Sequence, residues 1–184
     1  MPRYRLIIDL NLDQSVERLA TYAHYPELIV LGCAVHRSLA EMVYLQHGEI
    51  SCALFGLNAL PTFLDRPVWE VSCYQPDTQP KLDALAQSLG LELAVVRDQV
   101  GMVTPRTLFL IINEAFCVME EGTATASDID LAMQLGTNYP RGPVAWAHEI
   151  GLEQVVSVLD RLREHLGSSR YAASALLQQK MMRG

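Results

Sequence analysis

Residues 101–122, GMVTPRTLFLIINEAFCVMEEG, contain the start, the buried face and the end of one long helix. Thr104 followed by Pro105 predicts the start, because a hydroxyl residue caps a helix and proline is tolerated at the first helical position, where the N–H has no partner. Gly122 predicts the end. Apolar residues recur between them at helical spacing, namely Leu108, Ile111, Ile112, Ala115 and Val118.

Further helical patterns follow to the end of the chain. Ser127, with Asp130 three residues later, predicts the start of a second helix over residues 129–135, and Gly136 predicts its end. Three more helices are predicted over residues 144–150, 152–166 and 171–181. Residues 99–184 are therefore predicted to be an all-helical domain.

The preceding 98 residues alternate apolar runs with amphipathic stretches, which is typical of βαβ units around a parallel sheet. Strands are predicted over residues 5–12, 27–35, 50–57, 68–74 and 91–97. Helices are predicted over residues 14–23, 38–45 and 78–89. Asp13 is a plausible N-cap for the first of these helices. Residues 1–98 are therefore predicted to be an α/β domain.

Composition excludes several classes of function. The 184 residues carry 14 Lys and Arg against 21 Asp and Glu, a net charge of −7, which argues against a nucleic-acid partner. The apolar runs, such as residues 28–34 and 108–112, are far shorter than the ~20 residues of a membrane span. Residues 1–5 lead into a strand rather than a signal-peptide core. We therefore expect a cytoplasmic protein.

The four cysteines, Cys33, Cys52, Cys73 and Cys117, lack CxxC spacing, and most of them lie in apolar runs. Buried free thiols are favoured over metal ligands or disulfides.

The helical half contains a series of motifs with specific spacing: Asn113-Glu114-Ala115, Glu120-Glu121-Gly122, Asp128-Ile129-Asp130, Ala132-Met133, Gly136, Pro140, Gly142-Pro143 and Ile150-Gly151-Leu152. This series resembles the C-terminal domain of 3-hydroxyacyl-CoA dehydrogenases. The resemblance implies that residues 99–184 are a helical dimerisation domain and that the chain is related to enzymes of fatty-acid metabolism.

The first half is similar to the same family at fewer positions. Gly56-Leu57-Asn58 falls where the family has GLH, and Val68-Trp69-Glu70-Val71 falls where it has LVEV, with the same twelve-residue interval between Asn58 and Glu70. The family's dinucleotide-binding GxGxxG is absent from this sequence, in which no two glycines are separated by a single residue. The implied fold is a truncated Rossmann-like domain over residues 1–98, followed by the helical domain.

The resemblance assigns the family's catalytic histidine to Asn58. In the family this histidine is the general base, and a glutamate, here Glu70, orients it. A carboxamide can form hydrogen bonds but cannot take a proton at neutral pH, so the base is missing. Glu70 is then either an orienter without its histidine or a structural carboxylate paired with Asn58 or an arginine.

Two substrate-binding positions of the family also differ. Its asparagine corresponds to Pro105, which offers no donor. Its serine corresponds to Arg37, with Ser38 beside it. Ser38 either supplies a hydroxyl near the site or caps the helix that follows.

His36 is a possible substitute base, because it follows a buried strand at the edge of the sheet where ligands of α/β folds bind. The alternative is a solvated loop histidine. The other histidines, His24, His47, His148 and His165, lack partners at metal-ligand or catalytic spacing and are expected at the surface.

Three functions follow from these residues. The first is a non-catalytic homodimer, a pseudoenzyme that binds an acyl-CoA-like molecule or acts as a scaffold without a cofactor. The second is an active dehydrogenase component whose NAD-binding half is a separate chain. The third is an assembly partner that forms a heteromer with an authentic dehydrogenase.

Overall fold

The computed structural model describes residues 5–183. The chain divides into two compact units, Met1–Val103 and Thr104–Gly184. The change from sheet to helices thus falls at residue 103, five residues after the predicted boundary.

The first unit is built on a five-stranded sheet with strand order β1-β2-β3-β4-β5. Its strands are β1 (Leu6–Asp9), β2 (Ile29–Cys33), β3 (Ala53–Leu57), β4 (Val68–Cys73) and β5 (Glu92–Val96). Strands β1, β2 and β3 are parallel to one another, and β5 is parallel to β4. All five strands lie within predicted ones.

The sheet is mostly parallel, as predicted, but it differs from the predicted parallel sheet at one place, where β4 runs antiparallel to β3. The two strands are joined by residues 58–67. A parallel crossover needs about a dozen residues or more, usually with a helix, so this short connection returns the chain in the opposite direction.

Helices cover both faces of this sheet. They are α1 (Leu19–Tyr22), α2 (Leu39–Gln46) and α3 (Gln79–Leu89), with short 3₁₀ turns at Val16–Arg18 and Pro76–Thr78. Alternate strand residues face opposite sides: Val30 and Leu54 pack with residues of α1 and α2, whereas Leu31 and Phe55 pack with Leu82 of α3. The core therefore consists of two apolar layers that fix the sheet between its helices.

The second unit is all-helical, as predicted. Its helices are α4 (Thr104–Glu120), α5 (Ala126–Thr137), α6 (Pro143–Ile150), α7 (Leu152–Leu166) and α8 (Ala175–Arg183), with a 3₁₀ turn at Ser169–Tyr171. No helix within residues 5–183 is long and apolar enough to cross a membrane.

Two helices of this unit differ from their predicted bounds by more than one residue. Thr125 and Asp128 form a reciprocal capping box, so α5 begins three residues earlier than predicted; it also continues through Gly136 to Asn138, which has a left-handed conformation. The last predicted helix is interrupted at residues 172–174. There, Asn113 of α4 donates a hydrogen bond from Nδ2 to the Ala172 carbonyl and accepts one from the Ser174 amide at Oδ1.

Candidate functional site

Polar side chains follow the carboxyl ends of the three parallel strands. Asp13 follows β1, His36 follows β2 and Asn58 follows β3 directly. Because carboxyl ends of parallel strands meet at the same edge of a sheet, this edge is where ligands of open α/β sheets bind. The candidate site therefore lies in the first unit, at this edge.

Asn58 and Glu70 form a buried pair at this edge. Asn58 is 2% exposed and Glu70 is 9% exposed. The Asn58 backbone amide donates to the Glu70 carbonyl at 3.0 Å, which continues the ladder between β3 and β4 by one residue. The Asn58 side chain donates from Nδ2 to Glu70 Oε2 at 3.3 Å. Backbone pairing thus places the two side chains opposite each other.

Glu70 has a second partner, since its Oε1 accepts a hydrogen bond from the Val103 amide at 2.6 Å. The carboxylate therefore ties the end of the first unit to β4. Of the two interpretations of Glu70, the structure supports the one in which it is paired with Asn58.

The close packing beside this pair depends on Gly56. A Cβ atom at Gly56 would lie 2.3 Å from Ser72 Oγ and 2.9 Å from the Ala34 Cβ, both closer than van der Waals contact. Only glycine lets β2, β3 and β4 approach to this distance. The register that faces Asn58 to Glu70 rests on this position.

Asp13 is a fully buried carboxylate that binds the turn after β2. Its Oδ2 accepts from the Val35 amide at 2.9 Å, the His36 amide at 2.7 Å and the Cys33 thiol at 3.4 Å, and lies 3.1 Å from His36 Nδ1. Asp13 was predicted as a helix N-cap, and this prediction is wrong. A 3₁₀ turn with Ser15 at its N-cap occupies that position instead, and the carboxylate points to the neighbouring strand.

The prediction of a solvated loop histidine at His36 is also wrong, because His36 is 5% exposed and paired with Asp13. A pairing between residues 23 positions apart leaves no periodic signal in the sequence. The signal that was available is the pair of aspartates Asp9, the last residue of β1, and Asp13, four residues later.

Burial alone would raise the pKa of Asp13, but the hydrogen bonds and the charge of His36 outweigh it, so the pKa of Asp13 lies below its usual value. Burial and the neighbouring Asp13 charge raise the pKa of the Cys33 thiol far above its ordinary value. Cys33 is therefore a thiol in the folded protein and not a nucleophile. The four cysteines are free, as predicted; Cys33 and Cys52 are buried as expected, whereas Cys73 and Cys117 are only partly buried.

Ser38 caps helix α2, which confirms the structural interpretation of this residue. Its Oγ accepts from the Glu41 amide at 3.1 Å. Asp98, which was not singled out in the sequence, accepts from the Leu39 and Ala40 amides at 2.7 and 2.9 Å. Arg37, at the position of the family's serine, donates to the Asp13 carbonyl and contacts Glu41. These residues hold the start of α2.

Pro105 lies buried in the first turn of α4, in the second unit. It has no side-chain donor and no backbone N–H, so it cannot donate a hydrogen bond. Asn58, Glu70, Ser38 and His36 all belong to the first unit.

The turns after β1 and β2 do not fit the phosphates of a dinucleotide. Such a site needs glycines and free backbone amides at the start of a helix. Residues 10–15 contain no glycine, and the Val35 and His36 amides are already bound to Asp13. Residues 5–183 also contain no group of three or more His, Cys, Asp or Glu that could hold a metal ion.

Comparison with known proteins extends these observations to the whole chain. The family profile described as 3-hydroxyacyl-CoA dehydrogenase, C-terminal domain, matches residues 101–184. The chain is 40% identical over 96 residues to 3-hydroxyadipyl-CoA dehydrogenase of Escherichia coli, and 40% identical over 101 residues to a probable 3-hydroxybutyryl-CoA dehydrogenase of Bacillus subtilis. These matches cover 52% and 55% of this chain but only 20% and 35% of the relatives.

Among solved structures, the chain is similar to (S)-3-hydroxybutyryl-CoA dehydrogenase PaaH1 from Ralstonia eutropha. The TM-score is 0.81 at 26% identity, and the match covers 98% of this chain and 66% of that one. The five-stranded sheet and the helical unit thus both have counterparts in such an enzyme. Residues 101–184 therefore belong to the C-terminal domain of the 3-hydroxyacyl-CoA dehydrogenase family, and the chain as a whole is similar in fold to a solved member of that family.

Proposed function

We propose that this protein is a 3-hydroxyacyl-CoA dehydrogenase relative that binds an acyl-CoA-type ligand without oxidising it. The Asn58–Glu70 pair carries the proposal. Asn58 stands where the family has its general base, and its side chain donates a hydrogen bond to Glu70. A carboxamide in this place keeps a hydrogen-bonding group but has no nitrogen that accepts a proton at neutral pH.

The loss of the base has a large expected cost. A positioned general base contributes about 10²- to 10⁴-fold to the rate of a proton-transfer reaction. Pro105, at the position that the resemblance assigns to the family's substrate-binding asparagine, has no hydrogen-bond donor. Both changes weaken turnover while leaving the sheet and the helical unit intact, which supports a binding or scaffold role. The free cysteines suit the reducing cytoplasm.

The ligand class comes from the family. The relatives named above are dehydrogenases of 3-hydroxyadipyl-CoA and 3-hydroxybutyryl-CoA. We propose a short 3-hydroxyacyl thioester of CoA as the ligand.

A combined binding and turnover measurement tests this function. Thermal unfolding is followed with CoA, 3-hydroxybutyryl-CoA, acetoacetyl-CoA, NAD and NADH, and NADH absorbance is recorded in parallel. An acyl-CoA at a hundred times its Kd stabilises the fold by ~2.7 kcal/mol. We expect such a shift with an acyl-CoA, no shift with the nicotinamides and no NADH formation. NADH formation by this chain alone contradicts the proposal.

We also propose that two copies associate through the helical unit. Helix α5 has no buried residue, and it exposes Leu131 by 56% and Leu135 by 78%. Exposed leucines on one helix are typical of an interaction surface. A heteromer with an authentic dehydrogenase uses the same surface, and co-purification with such an enzyme distinguishes it from a homodimer.

One observation favours a second candidate function, an active dehydrogenase completed by a separate nucleotide-binding chain. Strand β1 lies at the edge of the described sheet, and Ile8 on it is 43% exposed. An open parallel edge can pair with a strand of another chain. Mixing the two chains then yields NADH, with His36 or another group as base. Mixtures that stay inactive remove this candidate.

A further inference from the structure

The Asn58 side chain contains a buried acceptor that the described structure leaves unused. Asn58 Oδ1 is buried and has no hydrogen-bond partner among residues 5–183, while Nδ2 of the same amide is bound to Glu70. Buried polar atoms in proteins nearly always have a partner, so an exception requires an explanation such as a water or a ligand.

The orientation of this amide is fixed by Glu70. A carboxylate only accepts hydrogen bonds, and Glu70 already accepts one from the Val103 amide through Oε1. Rotating the Asn58 amide by 180° would place Oδ1 against Oε2, two oxygens without a hydrogen between them. Nδ2 therefore faces Glu70 and Oδ1 faces away from it.

An asparagine held in this way has the hydrogen-bonding pattern of a neutral histidine. A neutral imidazole has one N–H donor and one nitrogen acceptor, and the oriented carboxamide also presents a donor on one side and an acceptor on the other. It differs in basicity, since the amide oxygen accepts a hydrogen bond but not the proton. Asn58 thus keeps the acceptor and loses the base.

We propose that Asn58 Oδ1 accepts a hydrogen bond from the 3-hydroxyl of the bound thioester, and that the site therefore selects 3-hydroxyacyl over 3-oxoacyl ligands. This inference rests on the proposed function and deepens it. A hydroxyl donates its hydrogen to Oδ1. A ketone has only acceptor lone pairs, so its oxygen faces Oδ1 without a hydrogen and both stay unsatisfied.

The other polar groups at this edge of the sheet leave Asn58 to discriminate between a 3-hydroxyl and a 3-oxo group. The Cys33 thiol, which interacts with the Ala59 amide, also donates to Asp13, and the Val35 and His36 amides are bound to Asp13 as well. The thiol and the two amides are committed to Asp13, so they compensate poorly for a ketone.

Isothermal titration with (S)-3-hydroxybutyryl-CoA and acetoacetyl-CoA, which differ only in the oxidation state of C3, tests the inference. Leaving a buried acceptor unpaired costs enough to weaken binding by about tenfold or more. We expect the hydroxyl form to bind at least about tenfold more tightly than the oxo form, with no NADH formed.

Three variants assign the preference to one atom. Asn58→Leu has a similar shape without the acceptor and should bind both thioesters equally. Asn58→His keeps an acceptor and should retain the preference. Glu70→Gln gives Asn58 Oδ1 a donor on the Glu70 side, so this variant should also lose the preference. It provides the test if Asn58→Leu does not fold.

Each outcome has a distinct meaning. Equal binding of both thioesters by the wild-type protein overturns this inference and leaves the proposed function standing. A preference that persists in both Asn58→Leu and Glu70→Gln assigns it to another residue and also overturns the inference. Binding of neither thioester overturns the proposed function, and the inference with it.

Discussion

Single buried side chains at the carboxyl edge of β1, β2 and β3 join segments distant in sequence. Asp13 binds the turn after β2, and Glu70 binds both Asn58 and the Val103 amide. Each is a carboxylate that satisfies donors which would otherwise be buried without partners. Removing one therefore costs more than a surface ion pair would, because the donors remain behind.

Replacing Asp13 should make the free energy of unfolding depend less on pH in the acidic range. The pKa of Asp13 is lower in the folded protein than in the unfolded chain, so the unfolded chain binds the proton more tightly. Its stabilisation is complete well above the unfolded value of about 3.9 and is lost as the pH falls below it. Asp13→Asn should lower the free energy of unfolding by about 3 kcal/mol at pH 7, and by clearly less at pH 3. Urea unfolding at both pH values measures this, with exposed Asp65→Asn as control. An equal loss at both pH values contradicts the assignment.

Truncating Glu70 should destabilise the first unit. Glu70→Ala leaves the Val103 amide and Asn58 Nδ2 without their acceptor, and we expect a loss of about 1–3 kcal/mol in the free energy of unfolding. Chemical denaturation measures it. The exposed carboxylate Glu92 on neighbouring β5 supplies the matched control, Glu92→Ala, which should change stability by less than about 0.5 kcal/mol. Similar losses in both variants would show that the buried hydrogen bonds contribute little.

Helices and strands were predictable where the local pattern is strong. All five strands lie within predicted ranges, and α7 has the predicted bounds of Leu152–Leu166. The errors fall where a side chain from another segment determines the local backbone structure. For example, Asn113 accepts a hydrogen bond from the Ser174 amide, and the last predicted helix is interrupted there. The direction of β4 was also predictable in principle from the short connection that precedes it.

The spacing of the strands at the site depends on Gly56, so a larger residue there should destabilise the sheet. Gly56→Ala should destabilise the protein by about 1–3 kcal/mol, because the added methyl collides with Ser72 Oγ and the Ala34 Cβ. The double variant with Ser72→Ala should recover part of the loss. Gly136→Ala in α5, where a Cβ meets nothing within 4 Å, is the control and should be neutral or slightly stabilising. Thermal unfolding compares the variants; a harmless Gly56→Ala contradicts the packing argument.

At the scale of the whole molecule, this chain combines a sheet unit with a helical unit, and both have counterparts in a solved 3-hydroxybutyryl-CoA dehydrogenase. The relatives it matches are longer, since the matched parts make up 20% and 35% of them.

The proposed homodimer gives the prediction at this scale. Leu135→Glu places a charge on the exposed face of α5 and should convert a dimer into a monomer, because a buried unpaired charge strongly opposes association. Sedimentation equilibrium at micromolar concentration measures the mass. Leu89→Glu, at a partly exposed leucine of α3 in the other unit, should leave the dimer intact. A monomeric wild-type protein removes the prediction.

The sequence by itself determined the two units, the helical domain that matches the family and the carboxamide at Asn58, because periodicity, capping residues and motif spacing are local properties. It also placed Glu70 twelve residues from Asn58. Only the tertiary structure decided the burial of His36 against Asp13 and the amide orientation that leaves Asn58 Oδ1 without a partner among the residues described. These features depend on hydrogen bonds between segments that are distant in sequence, and the geometry of such bonds cannot be read from sequence spacing.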